Sequence, residues 1–182
     1  MFSHSITQDI DLSLLLPKDA DALFALTDRS RSHLRRFLPW VDAVQSPEHS
    51  ASFIQAGLNQ LQQNNGFQLG IWHQGALAGV IGLHYINHAN RSTSIGYWLG
   101  DGFEGNGLIT ESCRALIDYM RREFRINRIE IRCAVENERS RAVPERLGMT
   151  HEGRIRQAEW LYDHFVDHDI YASVAEEDSP SV

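Results

Sequence analysis

One run, Asp101-Gly-Phe-Glu-Gly-Asn-Gly-Leu-Ile-Thr-Glu111, constrains this chain more than any other stretch. Upstream of it Thr93, Ile95, Tyr97 and Leu99 alternate as in a half-buried strand, and downstream Ile109, Cys113, Leu116, Ile117, Met120 and Phe124 recur at helical spacing. A glycine-rich turn between a strand and a helix leaves the first N–H groups of the helix without intrahelical partners. The helix dipole adds partial positive charge at the same place. Such a corner holds a phosphate or pyrophosphate. Glu104, Gly105, Asn106, Gly107, Leu108, Ile109 and Thr110 are therefore candidate ligand-binding residues.

Three classes of phosphate ligand compete for such a turn. A nucleoside-triphosphate loop needs Gly-x4-Gly-Lys-Ser/Thr, and no lysine is present here. A dinucleotide fold usually carries Gly-x-Gly-x-x-Gly after its first parallel strand. Here a third glycine is missing and several strands come first. Coenzyme A is the third.

The remaining pattern reads as one α/β (α+β) domain over residues 1–175, with an acidic, fraying tail at 176–182. Ile10, Leu12, Leu14 and Leu16 alternate as a first strand ended by Pro17. Helices are expected from about Asp19 and after Pro47, and Asn64-Asn65-Gly66 stops the second of them. Three strands then form a meander through Phe67–Ile71, Ala76–Tyr85 and Thr93–Leu99, with Gly96 marking a bulge or a close approach. After the glycine-rich turn, the helix and the strand Ile129–Val135 make a right-handed crossover between parallel strands. A short helix between Ser140 and Leu147, with Gly148 as its C′ residue, precedes a final hairpin over Thr150–Val174. A mixed, mostly antiparallel sheet of six or seven strands flanked by helices is expected.

The formal net charge of −7 speaks against general nucleic-acid binding, which needs a basic footprint. No apolar run reaches membrane length. Cys113 and Cys133 fall on apolar faces and are expected to be buried, reduced thiols in a cytoplasmic protein.

Five segments in order, Ile95-Gly-Tyr-Trp-Leu99, Gly105-Asn-Gly-Leu-Ile-Thr110, Glu136-Asn-Glu-Arg-Ser-Arg-Ala-Val143, Leu147-Gly-Met149 and Gln157-Ala-Glu-Trp-Leu161, resemble the GNAT superfamily of N-acetyltransferases. More narrowly they are similar to its ribosomal-protein-serine N-terminal acetyltransferase branch, over about residues 8 to 174. Two positions depart from the superfamily pattern Gln/Arg-x-x-Gly-x-Gly/Ala, with Glu104 at its first place and Ile109 at its last. The side chain at 104 thus adds no positive charge.

The resemblance implies acetyl-CoA as co-substrate, with its pantetheine arm between two splayed strands, those ending at Leu99 and Val135. Main-chain groups of Tyr97, Trp98 and Leu99 would pair with the arm, and an N–H near Trp98 or Leu99 would polarise the thioester carbonyl. It also implies that Asn137 touches the cofactor, that Ser140 sits near its sulfur, and that Trp40 walls the acceptor pocket. Both Asn137 and Ser140 are equally good helix caps, and Tyr97 and Trp98 can equally be sheet packing. Pro144 removes the N–H that would pair with the Ser140 carbonyl.

Glu159 is the candidate general base, since an amine must lose a proton before it attacks, and apolar neighbours raise a carboxyl pKa. Ser140 is the candidate acid toward the leaving thiolate. The expected reaction is direct acetyl transfer to a primary amine in a ternary complex, most naturally a protein N-terminal α-amine. Alternatives are a small-molecule amine acceptor, or a non-catalytic acetyl-CoA sensor. No metal site is expected, because His164 and His168 lie on a strand and are too far apart for one ion. The resemblance is compatible with a homodimer.

Overall fold

The computed structural model of the chain describes residues 3–175. The segment 176–182, set apart above as a tail, lies outside the described residues. Eight strands build one sheet: β1 (Ser3–Ser5), β2 (Ile10–Leu14), β3 (Gln68–His73), β4 (Ala76–Asn87), β5 (Ser92–Leu99), β6 (Arg128–Ala134), β7 (Thr150–Leu161) and β8 (His164–Val174). Their order is β1-β2-β3-β4-β5-β6-β8-β7. Every neighbouring pair is antiparallel except β5 with β6. The helices are α1 (Ala20–Arg29), α2 (Arg31–Leu34), α3 (Pro47–Gln62), α4 (Leu108–Phe124) and α5 (Glu138–Arg146).

The mixed, mostly antiparallel sheet is as expected, with eight strands where six or seven were counted. The uncounted strand is β1, whose Ser-His-Ser sequence has no apolar alternation to read; pairing with β2 makes it a strand. Pro17 opens a 3-10 turn over Pro17–Asp19, so β2 ends at Leu14. Helices cover both faces. Leu77 and Val80 pack with Leu23, Leu26 and Ile54 of α1 and α3. Leu69, Ile81, Leu83 and Ile95 pack with Leu108, Cys113, Leu116 and Met120 of α4. Burying a Leu, Ile or Met side chain contributes about 1.5–3 kcal/mol, so the α4 stripe is enough to hold this helix on the sheet.

The feature that matters for function lies in the register. β5 pairs with β6 only from Ser92↔Arg128 to Ile95↔Ile131. Beyond that point β5 continues along β4 to Leu99↔Gly79, while β6 continues along β8 to Ala134↔His168. The two parallel strands therefore part while each remains bonded to its outer neighbour. The gap is fixed by the sheet rather than by loose strand ends. Gly96 stands at its start; where the sequence suggested a bulge or a close backbone approach, the near neighbour is a side chain, since a Cβ there would lie 2.5 Å from Nε2 of His84. The bulge itself is on β4, between Leu83 and Ile86.

The short helix α5 begins two residues earlier than expected, because Asn137 caps it: Oδ1 accepts from the Ser140 N–H at 3.2 Å. Its other end closes as the sequence suggests. Gly148 N–H donates to Glu145 O, and Met149 N–H donates to Pro144 O.

Candidate functional site

The glycine-rich turn is built by backbone conformation. Gly105 and Gly107 have φ of 85° and 72°, and a Cβ added at either would meet nothing within 4 Å. Glycine is needed here for the left-handed backbone, not for space. Gly107 occupies the N-cap position of α4 and offers no side-chain cap, and the helix's first bond runs from Glu111 N–H to Gly107 O at 3.0 Å. The N–H groups of Leu108, Ile109 and Thr110 thus stand at the positive end of the helix without intrahelical partners. That arrangement fits a phosphate-bearing substrate.

From this corner a cavity of about 1180 Å³ runs past Leu99 and α5 to Ser140. Leu108 and Ile109 line it although their side chains belong to the core. Thr110 lines it, its Oγ1 accepting from Arg146 Nη1 at 3.0 Å and tying α4 to α5. Asn106 bends back toward the carbonyls of Phe103 and Glu104 and is not among the lining residues. Glu104 lines the cavity, and its Oε1 lies 3.1 Å from both His33 Nε2 and Arg139 Nη1. The acid at this place therefore holds a guanidinium beside the turn. Arg36, Arg114 and Arg146 add to the lining, against Glu111, Glu136 and Glu138.

Gly100 N–H donates to Ala78 O at 2.8 Å, toward β4. Strand alternation directs Trp98 the same way and turns the N–H and C=O of Tyr97 and Leu99 to the side that β6 has left. Of the two candidates for polarising a carbonyl in the gap, Leu99 is the one so oriented.

A second cavity, of about 810 Å³, opens on the other side of the gap. Tyr97, Trp98, Asn137 and Ser140 border both cavities, as do Phe37 and Leu38. Among the described residues, Glu159 is the one carboxylate lining the second, and Arg132 the one guanidinium. A distortion of β7 aims Glu159 there. Its register with β8 slips between Ile155↔His168 and Glu159↔Val166, where Gln157 has φ of 50° and its N–H donates to Asp167 Oδ1 at 2.8 Å. The apolar surroundings expected for Glu159 from its sequence neighbours are not what the fold provides. Trp160 is 52% exposed and packs edge-on against Phe165 at 4.8 Å. Facing Glu159 instead is His168, with Nε2 3.4 Å from Oε2. His84 borders the same cavity; burial, and next the charge of Arg132, hold its imidazole below the ordinary range, while Glu159 pulls the other way.

Trp40 also lines this cavity, its ring 5.6 Å from that of Trp98 and tilted by 56°. Its loop is tied down at two points: Tyr162 Oη donates to Leu38 O at 2.7 Å, and Arg31 Nη1 to Val41 O at 2.9 Å. Between the cavities, Ser140 Oγ lies 3.3 Å from both Tyr97 Oη and Cys133 Sγ. The Ser140 carbonyl freed by Pro144 accepts from Tyr97 Oη at 2.9 Å. Cys133 and Cys113 are both buried, as expected, and burial pushes each thiol above its ordinary range.

The histidines of the second cavity were not singled out by the sequence for this place. His168 was weighed only as a metal ligand with His164, yet it faces Glu159 while His164 faces Asp163. The slip in β7 is the reason, since no strand count gives the pairing across it. Another grouping, His33, Asp101 and Glu104, brings ligand-type atoms within 4.8 Å of one another, with Glu104 already engaged by Arg139. Among the described residues no helix is long and apolar enough to cross a membrane.

Comparisons with known proteins agree with this geometry. The family profile described as Acetyltransferase (GNAT) domain matches residues 10–150. YdaF of Bacillus subtilis, provisionally named a ribosomal N-acetyltransferase, is 38% identical over 93% of this chain and 92% of its own. The crystal structure of the microcin C7 self-immunity acetyltransferase MccE, in complex with acetyl-CoA and AMP, superposes with a TM-score of 0.90 at 32% identity, covering 93% of this chain and 94% of its own. RimL, a ribosomal L7/L12 α-N-protein acetyltransferase solved with coenzyme A, superposes with a TM-score of 0.91 at 29% identity, covering 95% and 98%. The chain belongs to the GNAT family of N-acetyltransferases and takes acetyl-CoA as its acetyl donor.

Proposed function

We propose that this enzyme transfers the acetyl group to the α-amine of a protein N-terminus, a ribosomal protein being the first candidate, by direct attack with donor and acceptor bound together. The observation that carries this reading is the shared wall. Tyr97, Trp98, Asn137 and Ser140 border a cavity on each side of the strand gap. A thioester reaching the gap from the glycine-rich turn and an amine entering past Glu159 would meet there.

The proton accounting assigns the roles. The acceptor arrives largely as an ammonium, and Glu159, directly or through a water, takes the first proton and leaves a nucleophilic amine. Attack on the thioester carbonyl places negative charge on its oxygen, which the Leu99 N–H is oriented to receive. As the C–S bond breaks, Ser140 Oγ gives its proton to sulfur and regains one from the attacking nitrogen, so that amide and free thiol form together. Asn137 caps the helix that carries Ser140, and Trp40 walls the acceptor.

Two features support an α-amine. Its pKa of about 7.7–8.0 demands less of a base than a lysine does. Among the described residues a single lining carboxylate also matches one positive charge, whereas a polyamine carries several. The likeness to proteins named ribosomal acetyltransferases supports the protein acceptor. A second reading, a small-molecule amine, is favoured by the aromatic walls Trp40, Trp98 and Phe53, which suit a planar ring, and by the likeness to the microcin immunity enzyme. Thiol release measured over a panel of free N-terminal peptides, ribosomal proteins, amino acids, polyamines and aminoacyl nucleotides decides between them. Turnover confined to small molecules sinks the protein-acceptor reading.

A further inference from the structure

Pro144 sits inside α5, where it cannot supply the N–H that the Ser140 carbonyl would accept one turn earlier. A helix carbonyl so released needs another donor when water is restricted. Here the donor comes from a different element: Tyr97, on β5, donates its hydroxyl at 2.9 Å across the strand gap.

This bond acts on the Ser140 side chain as well. With the phenol proton given to the carbonyl, the lone pairs of Tyr97 Oη are left for Ser140 Oγ at 3.3 Å. One phenol thus grips one residue at two atoms. The Ser140 hydroxyl has a competing acceptor, Cys133 Sγ, also at 3.3 Å, and sulfur is a weak one. Tyr97 is itself held: it stands opposite Ile81 of β4 in a register that the bonds of its neighbours fix, and its ring packs against the main core. Burial, with Cys133 and then Cys113 adding, pushes its phenol well above the ordinary range, so it remains a proton-bearing donor at every working pH.

We propose that Tyr97 is a positioning residue of the transfer reaction: its hydroxyl replaces the helix N–H that Pro144 removes and so fixes the Ser140 hydroxyl at the meeting point of the two cavities. This rests on the reading of Ser140 as the proton donor to sulfur. Proline and tyrosine form a matched pair. The proline opens the carbonyl, and the tyrosine uses that opening to hold the helix and the hydroxyl in one geometry. A helix with its full ladder of bonds would leave Tyr97 the Ser140 hydroxyl alone to hold.

A double-mutant cycle tests it with wild type, Tyr97→Phe, Pro144→Ala and the double variant. Phenylalanine keeps the ring and alanine is the best helix former; Tyr97→Phe still leaves the Ser140 carbonyl unpaired, at a cost in stability, so melting temperature is read beside kcat. Tyr97→Phe is expected to lower kcat on the order of tenfold, part of the ~10²–10⁴ that a positioned acid supplies, with the KM for acetyl-CoA within about twofold. In the Pro144→Ala background the restored N–H serves the carbonyl. There the same change is expected to lower kcat by no more than about threefold. Equal losses in both backgrounds overturn the proposal, as does an unchanged kcat for Tyr97→Phe alone. Coupling that appears in the melting temperature and not in kcat also overturns it, because Tyr97 would then serve stability alone. Ser140→Ala separates this from the reading beneath it. If it loses turnover while the cycle shows no coupling, Ser140 keeps its role and the positioning inference fails. If it keeps full turnover, the role of Ser140 fails, and the inference with it.

Discussion

The two cavities that meet at Ser140 are made in opposite ways. The donor side is a backbone device, with three amides at the start of α4, two glycines in left-handed conformation and the main chain of a strand whose neighbour has left. The acceptor side is a side-chain device, with aromatic rings, imidazoles and, among the described residues, one carboxylate gathered from α3, β4, β5, β7, β8 and the loop after α2. A backbone site needs residues adjacent in sequence and tolerates exchange of their side chains. A side-chain site needs particular groups and lets the fold bring them from anywhere. The first therefore specifies one donor, whereas the second can be retuned to different amines without disturbing it.

The largest expected effect lies on the acceptor side. Glu159→Gln keeps size and hydrogen bonding but cannot take the ammonium proton, so kcat is expected to fall by ~10²–10⁴. Binding of acetyl-CoA, measured by calorimetry, is expected to stay within twofold, roughly the noise of such a comparison. A parallel loss of coenzyme binding would break the separation of the two halves.

Next in size is a change beneath both. Asp169 on β8, with its side chain 3% exposed, receives Arg154 Nε at 2.8 Å from β7 and stands 3.6 Å from Arg141 Nε of α5. The Arg154 guanidinium, and less strongly His151, hold its carboxyl below the usual carboxylate range against the opposing effect of burial. A depressed folded-state pKa gives stability that is present above the unfolded value of about 3.9 and is lost as pH falls through the lower folded value. Asp169→Asn is expected to cost on the order of 2 kcal/mol at neutral pH, the scale of a hydrogen bond to a charged group. It should also flatten the acid limb of a melting-temperature profile below about pH 4. An acid limb as steep as wild type would move the responsible group elsewhere.

The same contrast explains what the sequence could reveal. Gly105-Asn-Gly107 and the flanking periodicities place a strand, a turn and a helix start within a few residues, so the donor corner and the crossover around it were legible. The parting of β5 from β6 was not readable from spacing, because it depends on where a parallel register stops; it came only with the family resemblance. Ser140 and Glu159 were picked out, but their surroundings were not. The slip in β7 hides the partner of Glu159, and the donor for the Ser140 carbonyl lies 43 residues away on another element. Glu104 was read from its own charge, and nothing in the sequence showed that the fold sets Arg139 and His33 against it.

A substitution in the donor turn gives the third effect. Gly107→Ala places a Cβ in open space but on a residue with φ of 72°, so the strain is conformational, about 1–2 kcal/mol for an L residue in the left-handed region. Relaxing that strain would rotate the α4 amides out of line. The KM for acetyl-CoA is expected to rise by about tenfold, the equivalent of about 1.4 kcal/mol, with acceptor KM unchanged. An unaltered KM for acetyl-CoA would mean that arginine side chains, not the backbone, carry the phosphate contact, and the donor half would then resemble the acceptor half in kind.

Trp40→Ala is the mildest test and the sharpest on specificity. The residue stands against Trp98 at 5.6 Å in a tilted pair, a contact worth about 0.5–1.5 kcal/mol beyond its burial. Losing it removes one wall of the acceptor cavity and leaves the glycine-rich turn untouched, so acceptor KM is expected to rise by about three- to tenfold while acetyl-CoA KM holds. The direction across substrates carries the information. If Trp40 stacks on a planar acceptor, small aromatic amines suffer most and aliphatic N-terminal peptides least. If it only bounds a channel for a peptide, every acceptor weakens alike. A uniform loss therefore favours the protein N-terminus, and a selective one favours the small molecule, because stacking discriminates by the ligand's shape whereas a wall merely confines it.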